Sequence, residues 1–206
     1  MNPSIIFPLA LLGLPAATAA YAQQPDGRLP DQTVKATIER VMTAIREDPG
    51  AREGDPERVY QLVQQTFLPA TDFRLSTQYA VGSAWAGATP AQRDALARQF
   101  QILLARTFAL QLTQIREEDT RFRFGPPAPL PAGASDAVVK TSVLTGGELM
   151  PIDYRLRKTE SGWKIYDINI MGAWLIQLYR RQFAAQLASG GVDGLIKYLA
   201  AHNQAG

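Results

Sequence analysis

Cysteine is absent from the 206 residues, and histidine occurs once, at position 202. Without thiols there is no disulfide framework, no cysteine nucleophile and no thiolate-held zinc or iron–sulfur cluster. A Ser-His-Asp constellation would have to recruit His202 from near the chain end, and histidine-rich metal centres are excluded. An excess of one charge is missing too: 21 Lys and Arg oppose 19 Asp and Glu, a net +2 that gives no footprint for nucleic acid. The chain also lacks an unbroken apolar run of about 20 residues, the length a membrane span requires. What it has is 46% hydrophobic and 19% charged residues. A chain of this length buries about 70% of its unfolded surface, enough for one substantial core.

The first 22 residues read as an address. Ile5 to Ala17 is apolar but interrupted by Pro8 and Pro15, and small residues then lead to Ala20-Tyr21-Ala22 before Gln23, an A-x-A cleavage pattern. This predicts a signal peptide over 1–22 and a mature domain over 23–206, although Met1 to Ile6 carries no basic side chain. No cysteine follows the cleavage site for a lipid anchor, so the expectation is a soluble protein of the bacterial envelope, in the periplasm.

Beyond a polar leader, Val34, Ile38, Val41, Met42 and Ile45 recur at helical spacing with Asp31 placed to cap, predicting a helix to about Glu47 that Asp48-Pro49-Gly50 stops. Asp55-Pro56-Glu57 opens a second helix through Val59, Leu62, Val63 and Phe67, and a shorter piece with Phe73, Leu75, Tyr79 and Val81 ends at Gly82. Thr89-Pro90-Ala91-Gln92 is a capping box with proline at the first helical position. It launches a helix to about Arg116 carrying Leu96, Phe100, Leu104, Phe108 and Leu112, on the order of 40 Å long and the spine of the molecule.

From Thr120 the period becomes two. Arg121–Phe124 alternates, residues 125–133 form a Pro-rich linker, and strands follow over Ala137–Thr145, Met150–Lys158 and Trp163–Ile170. Gly146-Gly147 and Thr159–Gly162 join them, so neighbours are antiparallel. Ile152, Tyr154 and Leu156 face one way and Asp153, Arg155 and Arg157 the other, leaving one dry face. Gly172 ends the sheet, and two last helices, Trp174–Ala188 and Val192–Ala201, flank Ser189-Gly190-Gly191. The reading is one α+β domain with a four-stranded antiparallel sheet.

Chemistry is sparse. Asp153 and Asp167 lie on adjacent strands, and a carboxylate inside an apolar cone can serve as a general base. Asp153, however, belongs to the polar face, and Asp167 at a strand kink suits bonding to local backbone. Neither glycine pair precedes a phosphate-loop pattern. The helices and the dry face together offer more apolar surface than a tight two-layer core needs, so either a greasy pocket or a filled core results.

Ala80-Val81-Gly82-Ser83-Ala84-Trp85 leading to Ala88-Thr89-Pro90-Ala91-Gln92-Arg93 resembles the A-x-G-x-x-W…A-T-P-x-Q segment of the MlaC family, the toluene-tolerance periplasmic phospholipid-binding proteins. Pro151-Ile152-Asp153-Tyr154, Ser161 to Asp167, Tyr179-Arg180 with Phe183, and Gly190 to Ile196 are similar to that family's later motifs in the same order. The resemblance implies an NTF2-like cone holding acyl chains inside, a carrier exchanging lipid between an outer-membrane lipoprotein complex and an inner-membrane ABC transporter of the Mla type. That work is retrograde transport in support of outer-membrane lipid asymmetry. It implies no enzyme activity and no cofactor. The expected pocket residues are Val81, Phe100, Leu104, Phe108, Val143, Tyr154, Leu156, Ile168, Ile170, Ala173, Trp174 and Ile176. Of these, Ala173 falls where relatives usually have a pocket-facing Val and Trp174 where they usually have Ser, at the expected mouth. Arg180 and Arg181 are the expected docking pair. The alternatives are an NTF2-like enzyme using Asp167 or Asp153, a carrier of hopanoid-type lipid, and an adaptor whose core is filled.

Overall fold

Helices α1 (Pro30–Glu47), α2 (Pro49–Arg52), α3 (Pro56–Thr66), α4 (Phe73–Val81), α5 (Ala84–Gly87) and α6 (Pro90–Leu112) come first, then a sheet of β1 (Arg121–Phe124), β2 (Asp136–Thr145), β3 (Glu148–Thr159), β4 (Gly162–Ile170) and β5 (Ala173–Trp174), then α7 (Leu175–Ala205). The structure, a computed structural model, describes residues 28–113 and 120–205. The expected signal peptide lies outside the described residues, as does the expected end of α6 at Arg116. Among the described residues no helix is long and apolar enough to cross a membrane.

Local chemistry sets the helix starts. The Asp55 carboxylate accepts from the backbone N–H groups of Glu57 and Arg58, and Thr89 and Gln92 exchange both bonds of a capping box, at 3.2 Å and 2.9 Å. At α1 the expected cap moves: Asp31 sits within the first turn, and the Gln32 carboxamide instead accepts from Leu29 N–H at 3.1 Å. Gly82 ends α4 with φ 69°, a left-handed value that suits glycine. Space gives a second reason, since a Cβ there would stand 2.9 Å from Arg180 Nη2.

The sheet is an antiparallel meander in the order β1-β2-β3-β4-β5. Gly146 and Gly147, at φ 56° and 84°, make the two-residue β2–β3 turn. A register shift beside Arg155 and Leu156 leaves Tyr166 as an extra residue on β4, so that Ile165 and Ile168, three positions apart, both join the core on the dry face. The expectation of an α+β fold with an antiparallel sheet holds, with five strands in place of four. Met171 and Gly172, both left-handed, fold the chain back so that Ala173 and Trp174 pair with Ile170 and Asn169 before α7 begins. The two expected last helices are one element broken at Gly191, whose φ/ψ of 60°/−158° is not helical.

Three apolar clusters fill the interior. Leu96, Phe100 and Leu104 of α6 meet Phe183, Leu195 and Leu199 of α7 with Ala80, Val81 and Trp85. Tyr154, Leu156, Trp163, Ile165 and Ile168 of the sheet meet Val34 and Ile38 of α1. Val59, Leu62 and Val63 of α3 meet Ala105 and Ala109 of α6. The long helix α6 thus packs among α3, α4 and α7.

Candidate functional site

On the inner face of the sheet, cross-strand partners stand side by side and form rows. One row is Phe122–Val143–Met150, the next Thr141–Ile152–Ile170–Ala173, and the third Val139–Tyr154–Ile168. Opposite them α1 contributes Ile38, Val41 and Met42, α3 Val63, and α6 Phe108 and Leu112, with Phe67 following α3. Between the two surfaces lies a cavity of about 240 Å³. Small-molecule pockets run from about 300 to 1,000 Å³, so this one sits just below that range. Among the described residues its lining is hydrocarbon and thioether apart from Gln111 and the Tyr154 phenol, with no acidic or basic side chain. Ile38, Val41, Val63, Val143, Tyr154 and Ile168 are buried, Gln111 is exposed, and the other eight lining residues are half-buried. Burial also pushes the Tyr154 hydroxyl well above the usual phenol range, so it stays protonated.

Five of the expected pocket residues, Phe108, Val143, Tyr154, Ile168 and Ile170, line this cavity. Phe100, Leu104 and Ile176 line a second, much smaller void of about 30 Å³, again with Phe108 and Ile168. Val81 and Leu156 line neither and are core residues, the first among the helices and the second beneath Trp163 and Ile165. Ala173 shares its row with Ile170 but stands at the sheet edge, exposed and outside the lining. Trp174, being opposite Asn169, lies on the outer face, where the Arg155 guanidinium stacks 3.8 Å from its ring centroid. The Met171-Gly172 turn thus sets Ala173 at the sheet edge and Trp174 on the outer face, and neither lines this cavity. Ile38, Val41, Met42, Val63, Phe67, Gln111, Leu112, Phe122, Met150 and Ile152 went unassigned in the sequence. The signal for two was available: Met150 and Ile152 share the parity of Tyr154 on β3.

Neither candidate carboxylate lines the cavity. Asp153 stands on the outer face opposite Lys140 and Asn169. Asp167 has a fully buried side chain whose Oδ1 accepts from Ile168 N–H at 2.9 Å and Ile176 N–H at 3.1 Å, while Oδ2 pairs with Arg155 at 3.3 Å. Burial holds its carboxyl above the usual range, with those three partners opposing the shift. The group ties the start of α7 to β4. Arg180 and Arg181 are both exposed, and the Arg180 guanidinium is seated on Gly82. Among the described residues no group of three His, Cys, Asp or Glu side chains is placed to hold a metal ion.

Two comparisons bear on the fold and the cavity. Residues 35–201 match the MlaC protein family. A solved structure, described as the phospholipid-binding protein from Ralstonia solanacearum in complex with a phospholipid, is 39% identical. It superposes with a TM-score of 0.77 over 84% of this chain and 96% of its own.

Proposed function

Because the chain belongs to the MlaC family, we propose that it carries phospholipid across the bacterial periplasm, housing acyl chains in the cavity between the sheet and α1, α3 and α6. The observation that carries this reading is the lining itself: a cavity of about 240 Å³ whose described walls are apolar side chains apart from Gln111 and the Tyr154 hydroxyl, with no acid or base among them. Such a surface suits hydrocarbon and offers little to a reaction. Drawing a two-chain lipid into water exposes about thirty methylenes at about 0.8 kcal/mol each, roughly 24 kcal/mol in all, which makes unaided desorption prohibitively slow. Replacing bilayer by a dry protein wall makes the exchange apolar to apolar and nearly neutral. Direction can then be set by differential binding at the two ends of the route.

In this reading residues 1–22 are an export signal, and lipid passes between outer-membrane and inner-membrane complexes of the Mla type in retrograde transport. No cofactor is needed. Arg180 and Arg181 are candidate docking residues, exposed on the helix leaving the sheet, where a guanidinium can engage a carboxylate or phosphate in bidentate fashion. Reversing both to Glu is expected to slow transfer most at low salt while leaving bound lipid in place.

The deciding experiment is native mass spectrometry of the exported protein purified without detergent. The expected result is a polypeptide beginning at Gln23 with a phospholipid mass bound. Protein that is ligand-free and gains none on incubation with phospholipid vesicles overturns the reading.

A further inference from the structure

Phe108 stands between two voids. The cavity of about 240 Å³ and the void of about 30 Å³ have three walls in common, Phe67, Phe108 and Ile168. The Phe67 and Phe108 rings meet edge to face with centroids 5.7 Å apart. Phe108 packs against both the α6–α7 cluster and the sheet cluster, and Phe67 against both the sheet cluster and the α3 cluster. The pair therefore plugs the point where the three apolar clusters converge. Beyond it the space shrinks to the size of about one water molecule. There the buried Asp167 carboxylate, engaged with Ile168, Ile176 and Arg155, also borders the void. Hydrocarbon pushed past the plug would meet a group that gives up solvation only for hydrogen bonds.

We propose that the Phe67–Phe108 pair is the end stop of the acyl-chain cavity and that Phe108 sets the hydrocarbon length the protein accepts. The inference rests on the lipid-carrier reading and deepens it. Ile168 is the third common wall, but it is fixed by the β3–β4 ladder. Phe108 is half-buried on a helix, with a ring whose size can be varied without touching the sheet. Removing a large apolar side chain from such a site leaves a dry void on the order of 150 Å³ that can take hydrocarbon. Phe108→Ala is thus expected to merge the two voids and Phe108→Trp to shorten the cavity.

The test loads delipidated protein from vesicles of phosphatidylglycerols with myristoyl, palmitoyl, stearoyl and arachidoyl chains in equal amounts, and reads the bound species by mass spectrometry. Phe108→Ala should raise the ratio of longer to shorter chains by about fourfold for each methylene newly housed. Phe108→Trp should move the ratio the other way. Should Phe108→Ala fail to fold by circular dichroism, Phe108→Leu serves, with a smaller shift in the same direction. Opposed shifts support the end stop. Lipid bound with the wild-type chain distribution in every folded variant overturns the end stop and leaves the carrier intact. Wild-type protein that takes up no lipid overturns the carrier reading, and the end stop with it.

Discussion

The two ends of α6 are built from the same residue types and finish in opposite states. Toward its start, Phe100 meets Tyr179 and Phe183 edge to face at 4.9 Å and 5.2 Å, and Leu96 is completely buried. Toward its end, Phe108 and Leu112 look across an unfilled gap to Ile152, Ile168 and Ile170. The difference lies in what stands opposite. At the start, the partner is another helix, α7, whose Phe183, Leu195 and Leu199 join Leu96, Phe100 and Leu104 in one cluster, with a void of only about 30 Å³ beside Phe100 and Leu104. At the end, the partner is a sheet, and sheets twist so that their faces diverge from a straight helix. Apolar composition thus specifies which residues face inward, and the geometry of the partner decides whether they touch.

The strongest way to break this comparison is to truncate one residue at the filled end. Phe100→Ala is expected to cost about 3–5 kcal/mol, read as a shift of the urea midpoint, because its neighbours cannot collapse into the space. A loss below about 1 kcal/mol would mean that this end is as loose as the other. Next comes the clasp between sheet and α7. Asp167→Ala leaves two buried N–H groups without an acceptor, at about 1–3 kcal/mol each, whereas Asp167→Asn keeps an acceptor oxygen and should cost about 1 kcal/mol. Equal losses in the two variants would rule out the hydrogen bonds as the cause.

At the open end Ile152→Ala should cost about 2 kcal/mol, the low side of core truncation, since the side chain is half-buried and lines the cavity. A penalty matching that of Phe100→Ala would show that the gap is closed in solution. The pH dependence is subtler. Burial raises the Asp167 carboxyl above its ordinary 3.8, so the folded chain binds that proton more tightly than the unfolded one. Stability from this group therefore falls as pH rises through that window and is level above it. Acidifying from neutral toward about pH 4 should improve the wild type relative to Asp167→Asn in paired urea titrations, and a relative decline contradicts the assignment. The smallest effect belongs to Ala173→Glu, expected within about 0.5 kcal/mol of wild type with bound lipid unchanged, because Ala173 lies at the exposed sheet edge. Loss of lipid in a folded Ala173→Glu protein would return that residue to the cavity.

What was legible in the sequence is what short-range chemistry decides. The Thr89–Gln92 box, the Asp55 cap, the Gly146-Gly147 turn and the break at Gly191 are each settled within a few residues, and the structure has all four. The dry face was readable from the parity of Ile152, Tyr154 and Leu156. β5 was not, since two residues carry no period and Met171 adopts its left-handed φ of 51° without being glycine. Nor were the roof residues of the cavity: Ile38, Val41 and Met42 were visible as a helical stripe, but a stripe has no record of how far away its partner lies. The positions of Ala173 and Trp174 outside the lining were hidden for a related reason. Position along a motif was carried over, and the tight Met171-Gly172 reversal sent one residue to the sheet edge and the other to the outer face.

The brevity of β5 has a consequence for self-association. A sheet edge is a row of idle hydrogen-bonding groups on which a foreign strand can crystallise. Here one border is two residues long before the chain coils into α7, and the other is the four residues of β1, with Arg121 and Arg123 exposed along it. An intruding strand would find only a few rungs on β5 or on β1, and at β1 it would meet like charges in alternation. Outer strands this short, one of them studded with like charges, give a foreign strand little to copy at β1 and β5.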